Sequence, residues 1–136
     1  MRPSANAAIA MTLALAAVPG LPMEPSPQRF DLVCQGMKTV RGDPQRFSQT
    51  THVDLARNTY CVDACLSLDT IKSVSEATII FRDKPSDGYY LTDKATWDRR
   101  SGAYTEAFAA TFRMYYESRT RAQCKVTSYS ADNAKR

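Results

Sequence analysis

Histidine and tryptophan occur once each in this 136-residue chain, as His52 and Trp97, and glycine only five times. A single histidine provides no ligand pair for zinc. The four cysteines (Cys34, Cys61, Cys65, Cys124) include no C-x2-C pair, which disfavours both a metal clamp and a redox-active dithiol. The glycines build no phosphate-cradling loop, and no nucleophile elbow is present. No apolar run is long. The longest, over 7–18, holds about twelve residues where a bilayer-spanning helix needs roughly 20. A dense block of one charge is also missing. Eighteen Lys and Arg face 14 Asp and Glu, for a formal net charge of +4, and "FRDKPSD" and "DKATWDRR" alternate the two signs. Even "RMYYESRTR", which mixes Arg with aromatics, falls short of the basic face of a nucleic-acid module. Neither a metal nor an organic cofactor is expected, and nucleic acid is not expected as a partner.

What is present begins with a leader. "MRPSANAAIAMTLALAAVPG" carries Arg2, then the apolar run, then small residues with Ala14 and Ala16 in an A-x-A arrangement. That is the layout of a secretory signal peptide, expected over 1–17 with cleavage after Ala16 or Ala17. No cysteine follows the run, so a lipid-modified N-terminus is not indicated. The Pro-rich 18–29 reads as a spacer, 30–129 as a single small domain, and 130–136 as a polar, disordered tail.

Export leads to an oxidising compartment, where four cysteines read as two disulfides. Loop-closure entropy does not choose among the three pairings. Closing a five-residue and a 91-residue loop is worth roughly 2 plus 4.6 kcal/mol, and either crossed alternative about 8. Strand geometry does choose. Cys61 ends "NTYCV" and Cys65 begins "CLSLDTI", so as the flanks of a three-residue loop they would sit opposite each other. Cys34 shares a face with Phe30 and Leu32, and Cys124 with Ala122 and Val126. Two inward cysteines near opposite ends of the chain would tie the first strand to the last.

Turn signals recur every ten or so residues between β-branched and aromatic runs, which predicts an all-β fold: a small antiparallel barrel or sandwich of about 7–8 strands. The first strand spans 30–40, with Gly36 as a bulge, and "RGDPQR" is a turn. In "FSQTTHVDL" the residues Phe47, Thr51, Val53 and Leu55 face the core, and Ser48, Thr50, His52 and Asp54 face water. "ATIIFR" is the most β-prone run. "RRSG" closes a late hairpin with Gly102 where positive φ is needed. The stretch 103–117 alternates as strands do, but it also spaces Tyr104, Phe108, Phe112 and Tyr115 as a helix would. A bent strand pair is the primary reading, and a helix making the fold α+β the alternative.

A four-residue "RRSG" loop puts Trp97 opposite Tyr104, Ala95 opposite Glu106 and Asp93 opposite Phe108. Asp93 and Glu106 then lie diagonally, about 7–8 Å apart at Cβ. Paired carboxylates beside Trp97 and Tyr104 form the candidate ligand site, and two such acids are what glycoside hydrolysis uses. His52 and Asp54 share a strand face in the manner of a base and its orienting acid, but that face points to water. The adhesive tripeptide "RGD" at 41–43 is confined to a tight turn by Pro44.

"FDLVCQG" at the mature start, "VDLARNTYCVDAC" in the middle and "WDRRSGAY" in the late hairpin give a layout that resembles small secreted, cysteine-containing β-proteins of alphaproteobacteria. Through "LVC" and "SGAYTEA" it is more loosely similar to periplasmic inhibitors of c-type lysozyme, small β-barrels whose first and last strands are joined by a disulfide. The resemblance implies a β scaffold and an envelope location, and it assigns no residue a role. The reading is therefore an exported, non-enzymatic binding or interaction module, periplasmic or extracellular. An envelope protein or glycan is its expected partner, without membrane insertion once the leader is removed. A carrier of a small apolar ligand in a barrel interior, and a carbohydrate-active hydrolase using Asp93 and Glu106, are the alternatives. N-terminal sequencing of the protein recovered from its native compartment should start at Ala17 or Val18, and an uncleaved Met1 would contradict the leader assignment.

Overall fold

The computed structural model describes residues 28–131. The expected leader, most of the spacer and residues 132–136 of the tail lie outside the described residues. Nine strands form: β1 (Arg29–Val40), β2 (Asp43–Asp54), β3 (Thr59–Val62), β4 (Asp69–Thr70), β5 (Ser73–Val74), β6 (Thr78–Lys84), β7 (Tyr90–Asp98), β8 (Ala103–Thr111) and β9 (Tyr115–Thr127). They make one curled antiparallel sheet, a half-barrel, in the order β4-β3-β2-β1-β9-β8-β7-β6-β5. The all-β expectation holds with one more strand than the upper count, because β4 and β5 are two-residue pieces.

β4 and β5 lie at opposite edges of the sheet, yet only Ile71 and Lys72 separate them in the chain. The three steps from Thr70 to Ser73 span at most about 11 Å, so the sheet has to curl until its edges come together. The switch is visible in the backbone. The Ile71 N–H donates to the Asn58 carbonyl beside β3 at 3.0 Å, and the next N–H, of Lys72, donates to Ile80 on β6 at 2.9 Å. Chain connectivity thus closes what hydrogen bonding leaves open, and β3 and β6 face each other across an unpaired seam.

Inside the curl, alternate residues of each strand interdigitate. Leu32, Cys34, Val53, Tyr60, Ile79, Phe81, Trp97 and Tyr104 are buried in one cluster, which fills the interior. β1 is paired on both sides, to β2 and β9, and Cys34 stands directly opposite Cys124 in the β1–β9 register. Their disulfide is formed, as is Cys61–Cys65.

Several local expectations are corrected. Gly36 is not a bulge, since the β1 register runs unbroken through it. A Cβ there would strike the Arg121 carbonyl and Ala122, so glycine is required by the close approach of β9. Cys65 does not open a strand. It sits inside the β3–β4 loop with φ of 54°, while the ladder pairs Tyr60 with Asp69. Segment 103–117 is strand on both sides of a turn at 112–114, because β7 and β9 supply Tyr104, Glu106 and Phe108 with partners. Of the tail expected from 130 on, Ser130 and Ala131 are held: the Ser130 hydroxyl donates to Asp31 at 2.5 Å, and Ala131 is buried.

That docked segment also changes the outer face of β1 and β2. His52 and Asp54, expected to be solvated, are buried. His52 does not bond Asp54. Its Nδ1 lies 2.7 Å from Asp31 and its Nε2 2.9 Å from the Asp63 carbonyl, while Asp54 pairs with Arg29 at 3.3 Å. Tyr129 meets the His52 ring edge-on at 6.2 Å. The polar pattern was right, but a second layer with matching polar groups covers it.

The "RGD" turn is a two-residue hairpin. Arg41 and Gly42 have φ of 48° and 84°, the I′ pattern that suits strand twist, and Val40 pairs with Asp43. At the late hairpin Gly102 takes φ of 77°, and Trp97 pairs with Tyr104 as expected.

Replacing Cys34 and Cys124 together by Ala should cost roughly 3–5 kcal/mol in urea unfolding, and the Cys61/Cys65 pair about 2 kcal/mol. Gly36→Ala should cost about 1–3 kcal/mol by forcing β9 away. A Gly36→Ala protein as stable as the wild type would refute the close-approach account.

Candidate functional site

Strand β6 sets the site through one irregularity. Its register to β7 runs Ile79–Trp97 and Ile80–Thr96, then jumps to Arg82–Ala95. In a regular strand Phe81 would face inward beside Ile79 and Arg82 would face out. The β-bulge aims both into the curl, a re-aiming that bulges commonly serve. An arginine enters the interior, where Asp93 and Glu106 wait.

Arg82 Nε donates to Asp93 Oδ1 at 2.8 Å, and its NH2 group donates to Glu106 Oε2 at 3.0 Å. The Tyr104 hydroxyl donates to the same Glu106 oxygen at 2.7 Å, and Lys84 approaches Asp93 at 3.6 Å. Arg82 is 23% exposed and the two carboxylates 12% and 14%, so the network is largely desolvated but reachable. Burial works against the guanidinium charge, yet bonds to Asp93, Tyr60 and Glu106 outweigh it and raise its pKa further. The Tyr104 phenol is pushed above its ordinary value, first by burial and then by the charge of Glu106 and the bond to it. Tyr60 is also raised by burial, with Arg82 pulling the other way.

The four residues expected at a ligand site thus separate. Asp93, Tyr104 and Glu106 are brought together, and the diagonal relation of the acids is as expected. Trp97 lies one layer deeper, buried against Phe30 with ring centroids 6.0 Å apart. Its Nε1 has no hydrogen-bond partner among the described residues. Tyr104 is equally buried, stacked on Phe47. Sequence reasoning missed Arg82, the hub, because strand alternation assigns it to solvent. Among the described residues no three His, Cys, Asp or Glu side chains converge as a metal set.

The network borders an opening. Along the seam between β3–β4 and β6 lies a cleft of about 560 Å³, with Tyr60, Ile71 and Phe81 on its apolar side. Arg82, Lys72 and Lys84 line it together with Asp69 and Asp83. Tyr60 and Phe81 touch across the seam at 4.9 Å between ring centroids, closing its inner end. The cleft exists because β3 and β6 share no ladder. Comparisons with family models, curated proteins and solved structures return no match to this chain.

Arg82→Met should cost about 2–4 kcal/mol, since it leaves two desolvated carboxylates without their cation. Adding Asp93→Asn and Glu106→Gln should recover most of the loss. A single variant as stable as the wild type would show the network is not structural. Tyr104 contributes stability that is whole below the unfolded phenol value near 10 and is lost as pH rises through its higher folded value. Urea midpoints should therefore fall between about pH 9 and about pH 11, and less steeply in Tyr104→Phe.

Proposed function

We propose that the protein is an exported, non-catalytic binding module of the cell envelope, holding a small amphipathic molecule in the seam cleft. The carrying observation is the cleft, whose volume of about 560 Å³ falls within the range of small-molecule sites. Ile71 and Phe81 offer an apolar wall, and Lys72 and Lys84, set beside Asp69 and Asp83, offer a polar rim to a hydrogen-bonding head group. The interior of the curl is filled by side chains, so the carrier alternative moves from the interior to the seam. All four cysteines are paired, which fits an oxidising compartment.

The non-catalytic reading draws support from hydrogen bonding. Glycoside hydrolysis needs one carboxyl to donate a proton and the other to act as base or nucleophile. Here both Asp93 and Glu106 accept from one guanidinium, and Glu106 accepts from Tyr104 as well. Acids spent in this way support the architecture.

Anilinonaphthalene sulfonate, an aromatic body with one anionic group, is a suitable probe. The native protein should bind it saturably with enhanced fluorescence. Thr70→Trp, which places an indole at the cleft wall, should weaken binding by about tenfold, or 1.4 kcal/mol, without lowering stability. Equal binding by Thr70→Trp, or no saturable binding by the native protein, would overturn the assignment.

A further inference from the structure

The outer face of the sheet carries a feature the cleft does not use. Pairing registers align its outward side chains in rows. One row runs Lys94–Ala107–Arg119 across β7, β8 and β9. The next runs Thr96–Thr105–Arg121 on the same strands and continues through Met37 on β1 to Arg46 on β2. Strand β8 contributes only small side chains, Thr105 and Ala107, so its backbone forms the floor of a trough of about 170 Å³. Lys94 and Thr96 form one wall, and Arg119 and Arg121 the other.

The walls are cationic; Glu106 and Thr120 also border the floor, but the Glu106 carboxylate is held by Arg82 and Tyr104 on the inner side of the sheet. Lys94 reaches Asp83 only at 3.9 Å, and Arg119 pairs with Glu117 at 3.1 Å at the end of the face. Arg46 and Arg121 are exposed and make no ion pair among the described residues. Arg119 and Arg121, two residues apart on one strand, stand roughly 7 Å apart, and Arg46 lies about 10 Å beyond Arg121, two strands away. Positive charges repeating along an open trough, with threonine hydroxyls between them, match an extended polymer bearing negative charge at intervals.

We propose that this trough binds an acidic polysaccharide, one carrying carboxylate or phosphate groups along a hydroxyl-rich chain. The two threonines offer hydrogen bonds to sugar hydroxyls, and Arg46, Lys94, Arg119 and Arg121 offer charge. A single-stranded nucleic acid is the other polymer of this charge pattern, but it gains affinity by stacking bases on aromatic rings. No aromatic side chain lies on either row. The proposal is independent of the seam cleft, which opens on a different part of the sheet.

Binding of the full mature chain to polygalacturonate, with neutral dextran as control, tests it. Wild-type protein should bind polygalacturonate and not dextran, with affinity falling as salt rises. Arg46→Ser with Arg121→Ser should weaken binding by about tenfold. Arg46→Lys with Arg121→Lys should retain most of it. Both pairs are exposed, so unfolding midpoints and anilinonaphthalene sulfonate binding should match the wild type, which separates failure here from failure of the cleft. Unaltered affinity in the serine variant, equal binding of dextran, no binding of polygalacturonate, or displacement of it by single-stranded DNA at equal charge would overturn the proposal.

Discussion

Cys34 and Cys124 face each other across β1 and β9, and the order of the other strands follows from that contact. Joining the first strand to the last forces the intervening chain to leave β1 on one side and return to β9 on the other. β2, β3 and β4 extend one flank, and β8, β7, β6 and β5 extend the opposite flank. Both flanks then have to be reconciled by a connection of two residues, which demands curvature. The disulfide closes a long loop, so much of its effect falls on the unfolded chain, where it removes conformations that keep the ends apart. Gly36, two residues from Cys34, lets β9 come as close as that pairing requires.

The cost of this closure appears at the seam. A sheet built outward from β1–β9 has two edges, and exposed edges invite pairing with other chains. Here the edge strands are short and are joined covalently through Ile71 and Lys72, but β3 and β6 still do not share hydrogen bonds. Polar groups near such an opening need partners, and Arg82 provides them. The bulge that turns it inward lets one cation satisfy two carboxylates that would otherwise be stranded under a partly open wall. A cleft with a charged base follows from how the curl is closed.

The remaining surface divides by strand alternation. Residues facing the curl are mostly apolar or enclosed in the Arg82 network, with Thr51, Ser118 and Thr120 buried among them. The outward rows Lys94–Ala107–Arg119 and Thr96–Thr105–Arg121 are small or cationic, with Tyr115 and Glu117 beyond them at the start of β9, while the outer face of β1 and β2 near their Arg29 and Asp54 ends is covered by the segment bearing Tyr129 and Ser130. The covered part buries His52 and Asp31 with mutual hydrogen bonds, which lets polar residues sit in a layer that pattern alone assigns to water.

Much of this architecture was legible in residues alone. Alternation set the inward face of β1 and β2, and it set the diagonal relation of Asp93 and Glu106, because side-chain direction in a strand has a period of two and turn length determines register. The same period placed Cys34 inward with Phe30 and Leu32, which made a tie to Cys124 the expected pairing, although the strand position of Cys65 on which that choice also rested is not what forms. Where local pattern met a long-range event, it failed. Arg82 was hidden because a bulge shifts the period by one residue, and Gly36 because its constraint comes from a strand some 85 positions later. His52 was misassigned because its cover arrives from the far end of the chain. Local chemistry determined which segments are strands and which way most side chains point. Only the closing of the sheet decided which polar groups would be enclosed, since that depends on contacts between residues distant in sequence.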